Sequence, residues 1–167
     1  MSDIFNMGSA TQVEQQQTEK AQGVKSLEDH INSIHLQWNK EIQKLNDMLK
    51  TIPDTIELEN IIFAKRQDVV DYYHTWLNRM AALNHKYNQR YAAEYNNIKM
   101  NAQIRYSTEA AVRMQIEANM ADLIYERDLY NQHAEYVKET IDTLDGIRFA
   151  IKNRIELEKL MTGVEFK

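Results

Sequence analysis

Apolar residues recur every three or four positions along three long stretches of the chain, and this spacing predicts amphipathic α-helices. The first helix is predicted over residues 26–51, because the hydroxyl of Ser26 can cap a first turn that carries Glu28 and Asp29. Pro53 follows and predicts a break before the next helix. The apolar stripe of the first helix consists of Leu27, Ile31, Ile34, Trp38, Ile42, Leu45 and Leu49.

The second helix is predicted over residues 55–106 and is the longest in the chain. Its pattern is interrupted at Ser107 and Thr108, whose hydroxyls are suited to capping, so a short connecting helix is predicted over residues 109–118. The apolar stripe of the second helix contains Ile62, Val69, Tyr73, Trp76, Met80, Leu83, Tyr87, Tyr91, Tyr95, Ile98 and Ala102.

The last helix is predicted over residues 120–162. Asn119 is suited to capping its start, and Gly163 is suited to ending it. Apolar steps of three and four residues alternate along the helices, which predicts left-handed supercoiled packing. The stripe of the last helix contains Leu123, Tyr130, Val137, Ile141, Leu144, Ile151 and Ile155.

The composition changes near residue 26. Residues 1–25 are polar and rich in Gln, Thr and Ser, and they are predicted to form a flexible tail. Residues 26–167 are predicted to form a single all-helical domain. The predicted fold is all-α, a long antiparallel helical hairpin with an additional N-terminal helix. Because helices this long expose their apolar stripes unless neighbours cover them, we expect copies to assemble as an oligomeric helical bundle or ring.

The composition excludes several classes of protein. The chain has no cysteine, so it has neither a disulfide framework nor a thiolate metal site. No apolar run approaches the roughly 18 residues of a membrane-spanning helix, and the N-terminus lacks the basic and apolar regions of a signal peptide. We therefore expect a cytoplasmic protein with no membrane partner.

The sequence also lacks the motifs of common catalytic sites. It contains no phosphate-binding loop and no nucleophile elbow. Asp71 and His74 have the i, i+3 spacing of a carboxylate–histidine metal pair in helical bundles, but no second such pair occurs. We expect no enzymatic activity, no metal and no cofactor.

The formal net charge of −5 conceals a segregation of charge along the chain. Residues 72–113 contain six basic and two acidic side chains, whereas residues 114–147 contain two basic and eight acidic ones. Residues 148–167 contain five basic and three acidic side chains. Two basic segments therefore flank an acidic one.

The predicted hairpin would bring these two basic segments together, because folding about residue 113 sets position 79 beside position 147. The resulting basic band would contain Arg79, Lys86 and Arg90 on one helix and Arg148, Lys152 and Lys159 on the other. Tyrosines lie nearby in sequence, and cations interleaved with aromatic rings suit single-stranded nucleic acid. The alternative is that the cations form an ordinary solvated face and the tyrosines belong to the core.

Two segments resemble a known family. YHTWLNR (residues 73–79) is similar to the Y-x-x-W-L-N-[KR] segment of the UvsY family of phage recombination mediators. GIRFAIKNRIELEK (residues 146–159) resembles the C-terminal pattern of that family, in which a basic residue, an aromatic residue and an I-K-[NH] element precede a helix that ends in glycine. The resemblance extends over roughly residues 62–163.

The resemblance implies a helical homo-oligomer, with a hexameric or heptameric ring as one form. Such a protein binds single-stranded DNA and helps to load a RecA-like recombinase onto DNA coated by the single-strand-binding protein, in the cytoplasm of the host cell. The L-K-x-R-L motif of the family falls on residues 98–102, where Lys99 fills the first basic position and Asn101 the second. Arg105 is the next basic residue.

The candidate nucleic-acid-binding residues are Arg79, Lys86, Arg90, Lys99, Arg105, Arg148, Lys152 and Arg154. A second hypothesis is a non-enzymatic helical structural or interaction protein of a phage, either a virion component or an inhibitor of a host protein, without DNA binding. In that case the basic residues would serve contacts between subunits.

Overall fold

A computed structural model describes residues 7–49, 53–100 and 108–163 of the chain. These residues form four α-helices and no strand, which confirms the prediction of an all-α fold over the described ranges. The helices are α1 (Met7–Met48), α2 (Pro53–Met100), α3 (Glu109–Asn119) and α4 (Ala121–Thr162). Within these ranges, no helix contains a stretch that is long and apolar enough to cross a membrane.

The first helix begins earlier than the sequence suggested. α1 begins at Met7, whereas residues 1–25 were predicted to be a tail and Ser26 to be the first cap. Gln, Glu, Ala and Lys are abundant between residues 12 and 22, and these residues favour helix even when no apolar stripe accompanies them. α2 begins at Pro53, a residue that is tolerated in the first turn because its missing N–H has no helical partner there.

The short α3 is held by caps at both ends. The amide of Ala111 donates a hydrogen bond to the hydroxyl of Thr108, at 3.2 Å, which satisfies one of the free N–H groups of the first turn. At the other end, the amide of Met120 donates to the carbonyl of Ile116 at 3.0 Å. Met120 is only 1% exposed, so its side chain anchors the junction between α3 and α4 in the core. α4 ends before Gly163, which has φ of 63° and caps the helix as predicted.

The chain divides into two compact units. The first unit contains the residues up to 33 together with Met80–Tyr130, and the second contains Ile34–Arg79 and the residues from 131 onward. The buried core of the first unit consists of Leu83, Ile98, Val112, Ile116, Met120 and Leu123. That of the second consists of Trp38, Leu45, Leu58, Ile62, Val69, Val137, Leu144, Ile147 and Ile151.

Three helical segments pack side by side in the second unit. Glu41 of α1 forms an ion pair with Lys65 of α2, and the earlier Trp38 packs against the later Tyr72 at 5.2 Å between ring centroids, so these two segments are antiparallel. Arg66 of α2 forms two hydrogen bonds with the carboxylate of Asp145 of α4, at 2.7 and 3.0 Å. Tyr72, later in α2, lies 2.8 Å from His133, earlier in α4, so α2 and α4 are also antiparallel, as the predicted hairpin requires.

A buried histidine links all three segments. His133 is 0% exposed, and both of its ring nitrogens have partners. Nδ1 lies 2.9 Å from Nε2 of His35, and Nε2 lies 2.8 Å from the hydroxyl of Tyr72. Trp76 packs against the same ring with a centroid distance of 4.3 Å, and Tyr136 packs against His35 in a tilted arrangement with a centroid distance of 3.6 Å. Because a buried polar group without a partner is costly, this contact network fixes where the three helices meet.

Replacing Leu58 by Ala tests the core of the second unit. Leu58 is 0% exposed, whereas Leu36 of α1 is 59% exposed. Leu58→Ala removes buried contacts and leaves a cavity, so it should lower the free energy of unfolding by about 2–5 kcal/mol. Leu36→Ala makes the same chemical change at the surface and should change it by less than about 0.5 kcal/mol. Urea unfolding followed by circular dichroism measures both, and equal effects of the two variants would contradict this description of the core.

The facing histidines predict that stability depends on pH. Burial lowers the pKa of His35 below its ordinary value of 6.5. A proton added to His35 would place a positive charge beside the fully buried ring of His133, 2.9 Å away. The unfolded chain therefore takes up a proton that the folded chain resists. His35 therefore adds to the free energy of unfolding above pH 6.5. This contribution is lost as the pH falls below 6.5 toward the pKa of His35 in the folded state.

Urea unfolding at about pH 7.5 and about pH 5.5 measures this dependence. His35→Asn should weaken it, whereas His30→Asn, at an exposed position of α1, should keep the wild-type dependence. Equal stability of the wild-type protein at the two pH values would argue against the account.

Candidate nucleic-acid interface

The antiparallel register of α2 and α4 differs from the predicted one. A fold about residue 113 would pair position 66 with position 160, but Arg66 pairs with Asp145. The difference of fifteen residues corresponds to about 22 Å along a helix. The predicted turning point at residue 113 lay too late in the chain, because α2 ends at Met100 and the return begins with α3 at Glu109.

This register separates basic residues that were predicted to meet. The guanidinium of Arg148 lies 5.9 Å from the ring centroid of Phe63, and Phe63 is sixteen residues before Arg79 on α2, or about 24 Å. The prediction that Arg79 and Arg148 share one level is therefore wrong. Arg79 is exposed and lies 6.0 Å from the ring of Trp76. Arg148 is half-buried, and within the described part of the chain its Nε has no hydrogen-bond partner.

Two of the candidate cations are engaged in holding helix ends. Lys99 forms an ion pair with Glu109 at 3.2 Å, which links the end of α2 to the start of α3. Hydrogen bonding between them raises the pKa of Lys99 and lowers that of Glu109. Arg154 donates to the carbonyl of Leu49, just beyond α1, and lies 3.6 Å from Glu158. It thereby satisfies a carbonyl that the helix itself leaves free.

The remaining candidates differ in their surroundings. Lys152 is exposed on α4, in the second unit. Arg105 lies outside the described residues. Lys86 and Arg90 lie one turn apart on α2, in the first unit. Lys86 and Arg90 both line one cavity.

An open groove of about 340 Å³ lies between three helical segments of the first unit. α2 contributes Lys86 and Arg90 to its lining, and α4 contributes Asp122 and Glu126. Arg90 also lies 3.4 Å from the carbonyl of Asn119, a long and weak contact. None of the four charged side chains forms an ion pair with another of the four, so charges of opposite sign line the groove without neutralising each other directly. We call this cavity the first-unit groove.

Apolar side chains complete the lining of the first-unit groove. Val24 and Leu27 come from α1, and Leu123 and Tyr130 come from α4. Leu123 belongs to the core of the unit, and Tyr130 packs against that core. The groove therefore offers cations, carboxylates and an apolar surface within reach of one small ligand group.

The α2 wall of the groove belongs to a segment without carboxylates. From Tyr72 to Ala93, α2 contains no Asp or Glu. In the first unit, the exposed polar side chains of this segment are Asn84, His85, Lys86, Asn88 and Gln89. The next acidic residue, Glu94, accepts a hydrogen bond from the amide of Asn119 at 3.1 Å. A polyanion that approached Lys86 and Arg90 along this face of α2 would meet no carboxylate on that helix.

The tyrosines of this part of α2 have a structural role. Tyr87, Tyr91 and Tyr95 are half-buried and pack against the core of the first unit, as the alternative interpretation of the sequence had it. The guanidinium of Arg127 lies 4.3 Å from the ring centroid of Tyr87. These rings are therefore engaged within the fold and are not arranged as an open stacking surface.

Sequence reasoning missed the acidic wall of the groove. The i, i+4 spacing of Asp122 and Glu126 already put both carboxylates on one face of α4. The sequence does not contain the register of α4 against α2, however, so nothing in it indicated that these residues stand near Lys86. Among the described residues, no group of three or more His, Asp and Glu side chains could hold a metal ion.

The segments that resemble UvsY differ in their structural roles. Trp76, in the first of them, is 1% exposed and packs in the core, whereas Phe149, in the second, is 66% exposed. The family resemblance itself remains a prediction. No protein-family model matches the chain, and neither a curated protein nor a solved structure does.

Proposed function

We propose that this protein is a non-enzymatic mediator of recombination of the UvsY type. In this proposal it binds single-stranded DNA in the cytoplasm as a homo-oligomer. It helps to load a RecA-like recombinase onto DNA that is coated by the single-strand-binding protein.

One observation carries the proposal. Lys86 and Arg90 line an open groove in the first unit and belong to a helix segment without acidic side chains. Phosphates are attracted to such cations through the release of counterions, and this term dominates non-specific binding of nucleic acid. The groove also offers an apolar surface, which an unpaired base can contact. Lys86 and Arg90 are therefore the centre of the proposed DNA path.

The end of α4 supports the assembly of several copies. Its exposed face carries four large apolar side chains with exposures of 60–86%: Leu157 at 60%, Phe149 at 66%, Leu160 at 80% and Met161 at 86%. Apolar residues this exposed on one helix are typical of a surface that a partner covers. A second copy of the chain is the partner that the proposal assigns to it.

The same apolar residues favour one alternative function. A helical structural or interaction protein of a phage would use them to bind a virion component or a host protein, and Lys86 and Arg90 would then serve contacts between subunits. The two functions differ in what a reversal of these two charges does to the protein.

Fluorescence anisotropy with labelled oligo-dT, titrated at a low and a moderate salt concentration, tests the proposal. The wild-type protein should bind with an affinity that falls as salt rises. Lys86→Glu/Arg90→Glu should weaken binding at low salt on the order of tenfold or more. When the logarithm of the binding constant is plotted against the logarithm of the salt concentration, the slope should become shallower by about 1.4, because each phosphate contact contributes about 0.7.

Lys40→Glu/Lys44→Glu is the matched control, since Lys40 and Lys44 are exposed and also lie one turn apart, on α1. This variant should retain most of the affinity. Sedimentation of each variant reports the assembly. An absence of binding at low salt, or equal losses in the two variants, would refute the proposal. Collapse of the oligomer in the Lys86/Arg90 variant would favour the interaction protein.

A further inference from the structure

We infer that the first-unit groove receives one nucleotide of the bound strand and selects bases that carry an exocyclic amino group. This inference rests on the proposed function and adds a base preference to it. It concerns the groove lined by Lys86, Arg90, Asp122 and Glu126.

The size of the groove fits one nucleotide. Its volume of about 340 Å³ lies at the lower end of the range of roughly 300–1,000 Å³ that is typical of small-ligand sites. A whole strand does not fit into such a space, but a single pyrimidine with its sugar does. The apolar lining, from Leu123 and Tyr130, gives the flat face of a base a surface to contact.

The two charged walls of the groove suit different parts of a nucleotide. Lys86 and Arg90 come from α2 and can bind a phosphate. Asp122 and Glu126 come from α4, and a phosphate would be repelled by them. These carboxylates have no ion-pair partner among the other groups of the groove. A strand whose phosphate lies at the α2 wall therefore turns its base toward these two carboxylates.

Carboxylates distinguish bases by the direction of the hydrogen bond. The N4 amino group of cytosine donates hydrogen bonds, and Asp and Glu side chains accept them. Uracil has the same ring but carries the acceptor O4 at that position. A carboxylate beside O4 faces another acceptor, so neither oxygen receives a hydrogen bond from the other. Each well-formed contact of this kind contributes a discrimination of about 1–3 kcal/mol, which corresponds to roughly 5- to 150-fold in affinity.

The experiment compares oligo-dC with oligo-dU of equal length, by anisotropy at neutral pH and low salt. These strands differ at the 4-position of the base and in the proton on N3. The wild-type protein should bind oligo-dC about fivefold or more tightly than oligo-dU. Asp122→Asn/Glu126→Gln should bring the ratio to within about twofold, because amides can both accept and donate. It should also raise the affinity for oligo-dU, since two negative charges are removed.

Glu135→Gln/Glu139→Gln is the matched control, because both glutamates are exposed on α4 and lie one turn apart, outside the groove. It should leave the ratio of the two affinities unchanged. Two results would overturn the inference and leave the proposed function standing. One is equal binding of the two strands by the wild-type protein. The other is a ratio of affinities that stays the same in Asp122→Asn/Glu126→Gln. Failure to bind either strand would overturn both.

Discussion

The hydrogen bonds of the buried His133 are the constraint on which the arrangement of the second unit depends. An apolar stripe that repeats every turn permits two helices to slip past each other by one turn, about 5.4 Å, with little change in apolar contact. His133 removes this freedom, because its two nitrogens face His35 of α1 and Tyr72 of α2. A slipped register would leave these groups buried without partners, at a cost of about 1–3 kcal/mol each. The polar contacts therefore determine the register of the helices, and the apolar stripe supplies most of the stabilisation.

That register determines which charges the helices present together. Arg66 forms a hydrogen bond with Asp145, and the guanidinium of Arg148 lies against the ring of Phe63. The basic residues at the end of α4 therefore lie far from Arg79. Lys99 and Arg154 hold helix ends. Lys86 and Arg90 line the first-unit groove. The proposed function thus depends on a smaller and more local set of residues than the broad basic band that the sequence suggested.

The helices could be predicted from the sequence because each depends on short-range features. The break before α3 follows from Thr108, and the end of α4 follows from Gly163. The register could not be predicted in the same way, since it depends on where the chain turns and on which polar groups find partners some 60 to 100 residues away, as for His133 with Tyr72 and His35. The start of α1 was missed for another reason. Its first turns carry good helix formers without an apolar stripe, and the prediction relied on the stripe.

The groove could be predicted only in part. The sequence identified Lys86 and Arg90 from their spacing and from the basic segment that contains them. It could not identify Asp122 and Glu126 as their neighbours, because a run of acidic residues on a helix is usually a solvated face. Lysine acetylation footprinting by mass spectrometry, with and without single-stranded DNA, tests the central claim most directly. Lys86 should become protected while the exposed Lys40 keeps its reactivity. Protection of Lys152 with an unchanged Lys86 would contradict the account.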